Sequence, residues 1–205
     1  MGLELPFPSL DYACSELLYK ETGIASLPAL NDTDSLFGEK ITECCTLLDG
    51  NHEQRAYALA MFYNIILVEE KKIGDVSMHQ IHSAVAKCLL DEDVFISGQA
   101  ARVLAVVALL HGGLAEEEGT LLMQWIHASL SSYAEQEQPA LLGALVLGHV
   151  LRVPQLRSLF AERSDSLSLL VTGLAPSRNV QLQYHALFAL WLLTFDPLIV
   201  AQLQE

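Results

Sequence analysis

LLDEDVFISGQAARVLAVVALLHGG, residues 89 to 113, contains the plan of the whole chain. An acidic turn, Asp91-Glu92-Asp93, supplies negative charge where a helix begins, and that charge favours the helix dipole. A long apolar run follows, and Gly112-Gly113 closes it as a helix C-terminus does. Three other segments read the same way: LLDGNHEQRAYALAMFYNIILVEE from Leu47, SSYAEQEQPALLGALVLGHVLRVP from Ser131 and LAPSRNVQLQYHALFALWLLTFDP from Leu174. Their starts are 42, 42 and 43 residues apart. A second helical stretch precedes the long one, such as VSMHQIHSAVAKCLL or GTLLMQWIHASL. A period of about 40 to 47 residues built from two or three helices is the armadillo or HEAT range.

The spacing predicts an all-α fold, a right-handed armadillo/HEAT-like superhelical solenoid with a repeat of about 42 residues, over residues 35–205. No run alternates apolar and polar residues between turn signals as a strand does. The turns supply caps. Gly50 is expected to close one helix in the left-handed conformation, and Asn51 to cap the next with Gln54 three residues on. Glu116, Glu117 and Glu118 charge another helix start, and Asp196-Pro197 reads as a cap followed by a first helical residue. Residues 1–34 are weakly patterned, punctuated by Pro6, Pro8 and Pro28, with one short helix expected around Tyr12 to Lys20.

Hydrophobic residues make up 52% of the 205, charged residues only 18%, and the mean hydropathy is +0.34. Much of the apolar content must therefore be covered. In the most apolar stretch, residues 181 to 197, the run from Ala186 to Phe195 is short of the roughly 20 residues a membrane span needs, so no direct membrane insertion is expected. Tyr184, Phe188, Trp191 and Phe195 fall at i, i+4, i+7 and i+11, and Leu182, Ala186, Ala189 and Leu193 make a second stripe. Both are assigned to the core, because a central solenoid helix meets neighbours on more than one side. The last repeat, with Trp191, Leu192, Phe195 and Ile199, is expected to be covered by a longer solenoid or by another chain.

Eleven Lys and Arg stand against 25 Asp and Glu, a net charge of −14. Nucleic acid is disfavoured as a partner, since phosphate binding depends on clustered cations. An anionic membrane surface is disfavoured for the same reason. Cys14, Cys44, Cys45 and Cys88 include no CxxC spacing, and MGLELPFPS lacks the basic start of a signal peptide, which points to reduced thiols in the cytosol. One of the adjacent pair Cys44 and Cys45 is expected in the core and one near the surface.

Catalytic chemistry is not legible. Gly38-Glu39-Lys40 lacks the upstream glycine of a phosphate loop, and no GxSxG or HExxH occurs. His79 and His82 lie one helical turn apart without a third ligand at metal spacing. No catalytic residue, cofactor or metal is expected, and no ATP site.

Longer strings carry a resemblance. QLQYHALFALWLLTFDP (181–197), FISGQAARVLAVVA with Gln99 to Arg102, QWIHASLSS (124–132) and LVLGHVLRVPQLRSLF with Leu151 to Val153 are similar, in order and separation, to the regulatory H subunit of the vacuolar proton-translocating ATPase. The likeness runs from about Leu47 to Glu205. It implies a non-catalytic component on the cytosolic face of vacuolar or endosomal membranes. Its N-terminal armadillo-like domain would dock on the peripheral-stalk E and G subunits and support ATP hydrolysis coupled to proton transport. The family's inhibitory C-terminal domain has no counterpart in these residues, so only the stalk-binding half is carried over. A generic armadillo adaptor for a helical or extended peptide is the alternative, and an enzyme is a third class with the least support.

If the later helix of each repeat lines the concave side, its polar residues are the candidate partner contacts: Arg55, Gln99, Arg102, Gln181 and His185. An Arg within an apolar helix must find an acceptor. Arg102 therefore either meets a partner or pairs internally with the turn Asp91 to Asp93.

Overall fold

The computed structural model describes residues 37–69, 75–134, 136–163, 165–174 and 179–202. The helix expected around Tyr12 to Lys20, and residues 1–34 as a whole, lie outside the described residues. Ten helices are described: α1 Phe37–Leu47, α2 His52–Glu69, α3 Asp75–Lys87, α4 Val94–His111, α5 Glu116–Ser131, α6 Glu137–Val150, α7 Pro154–Ala161, α8 Ser166–Ser168, α9 Val180–Leu193 and α10 Pro197–Gln202. Short 3-10 turns at Cys88–Leu90 and Ser132–Ala134 extend α3 and α5, and α8 runs into a π-helical stretch at Leu169–Leu174. No strand occurs among the described residues.

The helices form two layers. In the first, α1, α3, α5, α7 and α10 pack in succession; in the second, α2, α4, α6 and α9 do. Cross-layer pairs α1 with α2, α3 with α4 and α5 with α6 complete each repeat. This is the stacked helical solenoid that the 42-residue spacing predicts. A single apolar core runs through it from Ile41 to Ile199, with Phe62 and Phe160 among its largest enclosed side chains.

In the fourth repeat the first-layer helix is broken into α7, α8 and the π-helical stretch, a division no periodicity announced. Ser158 on α7 donates to Asp196 Oδ2 at 2.9 Å, and Asp196 is buried immediately before α10. This bond ties α7 to the start of the next first-layer helix.

Most caps are where the sequence places them. Asp93 accepts from the N–H groups of Phe95 and Ile96 at 2.8 and 3.3 Å, satisfying donors that a helix start leaves orphaned. Asn51 and Gln54 form the reciprocal box, at 2.9 and 3.0 Å. Gly112 closes α4 at φ 74°. Gly50 differs: its φ is not positive. The chain instead leaves α1 through i to i−3 bonds, Asp49 N–H to the Thr46 carbonyl and Gly50 N–H to that of Leu47. A Cβ at Gly50 would stand 2.3 Å from Gln54 Oε1, so a side chain there would displace the capping amide; the glycine leaves room for the capping box rather than supplying a left-handed turn.

By length and composition, α4 could cross a membrane, yet 67% of its window is buried within the fold, between α2 and α6. That is the burial a central helix of a stacked core requires. The 14-residue α9, on which the sequence poses the membrane question, is too short to span. Cys44 is buried and Cys45 only partly so, and burial pushes the thiols of Cys44 and Cys88 up to about 11.

Candidate partner-docking face

The second helical layer carries every candidate contact. Arg55 on α2 pairs with Asp91 in the turn before α4, joining adjacent repeats. Asp91 belongs to the turn 91–93 that the sequence also offers Arg102 as an internal partner. Arg102 on α4 is 3% exposed; its Nη1 donates to Gln99 Oε1 at 3.2 Å, and its guanidinium lies 5.5 Å from the centre of the Tyr63 ring on α2. Gln99 is partly buried beside it. Gln181 is exposed in the first turn of α9, its N–H donating to the Asn179 cap at 2.9 Å. His185 is half-buried on α9, and burial, then His149 on α6, hold its proton affinity below the usual value. His149 is lowered by burial against the raising effect of its bond to the Leu145 carbonyl; Arg152 and Arg102 lower it further. Gln99 and Arg102 on α4, His149 on α6 with Arg152 just past its end, and His185 with Gln181 on α9 therefore follow one another along the layer, while Arg55 on α2 lies at its other end.

The aromatic stripe of α9 departs from expectation. Leu182, Ala186, Ala189 and Leu193 are core, but Tyr184, Trp191 and Phe195 are 47%, 51% and 56% exposed. The reason is visible in α9 itself. VQLQYHALFALWLL has no polar face to identify the outside, so two stripes satisfy the helical period equally, and the small one fits the tighter interior. Phe188 turns toward α6, where a Cβ at Gly148 would stand 3.3 Å from its ring. The rings form a row: Tyr184 stacks on Phe188 with centroids 6.4 Å apart, Phe188 on Trp191 at 5.7 Å, and Trp191 meets Phe195 edge-on at 5.2 Å. Arg152, exposed just past α6, lies 5.7 Å from the Phe188 centroid. Leu187 and Val180 extend the apolar surface. Sequence reading missed this face; its signal was a helix without a charged residue beside a core stripe of Leu and Ala.

His79 is exposed and His82 is enclosed, its Nδ1 3.8 Å from Glu118 Oε2 and its ring 6.2 Å from that of His111. Among the described residues no three His, Cys, Asp or Glu side chains converge as a metal would need. An open hollow between α1 and α3 is walled by Thr42, Cys45, His79, Ser83 and Lys87.

Comparison with known proteins supplies the family of this helical solenoid. The family model for the H subunit of the V-ATPase matches residues 31–205. The chain belongs to the V-ATPase H-subunit family. The V-type proton ATPase H subunit of Drosophila melanogaster is 30% identical over 115 residues, 56% of this chain and 24% of that protein. The matched stretch thus spans about a quarter of the fly protein. The family match covers all of α1 to α10, so the row of rings and the candidate contacts all lie within its bounds.

Proposed function

We propose that the chain serves as a non-catalytic regulatory subunit in the peripheral, cytosolic sector of a vacuolar-type proton pump. It docks on the peripheral stalk, formed by the E and G subunits, and supports ATP hydrolysis coupled to proton transport at vacuolar and endosomal membranes. The family match over residues 31–205 carries this reading. Two physical features support it. A helical solenoid offers a long, rigid surface whose repeats contact only their neighbours and leave one layer free for a partner, and the strong negative charge repels nucleotide phosphates. Gln181, with the partly exposed Arg55, Gln99 and His185, supplies polar contacts on that layer, whereas Arg102 serves the fold.

The deciding experiment is affinity purification of the tagged chain from cells, with the bound chains identified. Stalk subunits in stoichiometric yield are expected; a reproducible set of partners lacking any pump subunit would replace this reading with the general adaptor. Equilibrium dialysis with labelled ATP at millimolar concentration is expected to give no saturable binding, and a saturable isotherm would contradict the non-catalytic assignment.

A further inference from the structure

We draw no further inference here: the strongest candidate, the exposed apolar patch of Tyr184, Leu187 and Trp191 on α9 with Phe195 just past its end, carries none, because nothing in the structure shows what covers it.

Discussion

Gln155 and Leu114 hold each other across one repeat: the Leu114 N–H donates to Gln155 Oε1 at 3.2 Å, and Gln155 Nε2 donates to the Leu114 carbonyl at 3.0 Å. The same construction recurs where Arg55 reaches Asp91 and where Ser158 reaches Asp196, in each case from a helix to the turn about one repeat away. Apolar stacking is nearly indifferent to a small slide of one helix along another, but a hydrogen bond is directional. These ties at the turns set the register of successive repeats, and the buried faces supply most of the stability.

Gln155→Ala is therefore expected to cost about 1 to 2 kcal/mol, because it leaves a sheltered N–H and carbonyl without their partner. Gln155→Glu, which keeps the acceptor and loses the donor, should fall between. Thermal unfolding followed by circular dichroism measures both, and a wild-type midpoint in the alanine variant would mean that water replaces the clamp without loss.

At Gly143, α6 lies close against α5. A Cβ there would stand 2.9 Å from Ser129 Cβ and 3.5 Å from the Ile126 carbonyl oxygen, neither of them the free end of a flexible side chain. Gly143→Ala is expected to destabilise by about 1 to 3 kcal/mol through overpacking, despite the better helix propensity of alanine. Adding Ser129→Gly should recover part of the loss. Strictly additive costs in that double-mutant cycle would rule out the contact as the cause.

The repeat was legible because each 42-residue unit states its own beginning and end: Asp93 and Asn51 as caps, Gly112 as a stop, a polar turn between apolar runs. The two layers follow from that period alone. The outside of α9 was not legible, because periodicity locates a face only when the opposite face is polar, and Tyr184, Leu187 and Trp191 made no such contrast. Gly50 was misread for a related reason: its sequence fits two uses of glycine, and only the position of the Gln54 side chain shows which one operates. Arg102 could be assigned an acceptor in principle, but which acidic turn served Arg55 and which residues served Arg102 depended on contacts across repeats.

His82 predicts a pH dependence. Burial, then His111 and His79, lower its pKa from the usual 6.5 to about 4; the Glu118 carboxylate, 3.8 Å away, accepts from the Ala115 N–H and is too distant for a hydrogen bond to the ring. Between those values the unfolded chain carries a proton that the folded chain lacks. Stability is then complete above pH 6.5 and falls as the pH drops toward 4, by up to about 3 kcal/mol from this group. His149 and His185, lowered in the same direction, add to the slope. Melting temperatures of wild type and His82→Gln across this window provide the check: the variant should lose the smaller amount, and parallel curves would remove His82 from the account.

Arg102 gives the sharpest separation of fold from function. Enclosed in the second layer, bonded to Gln99 and lying over Tyr63, it spends its guanidinium inside the protein. Arg102→Ala removes a charged hydrogen bond, a cation over a ring and the packing of a long stem, and is expected to lower stability by about 2 to 3 kcal/mol. Arg102→Lys keeps the charge but loses the planar group, and should recover less than half of that. At a temperature where both variants remain folded, each should bind the partner as wild type does. An unchanged melting curve with binding lost in Arg102→Ala would return this residue to the docking face.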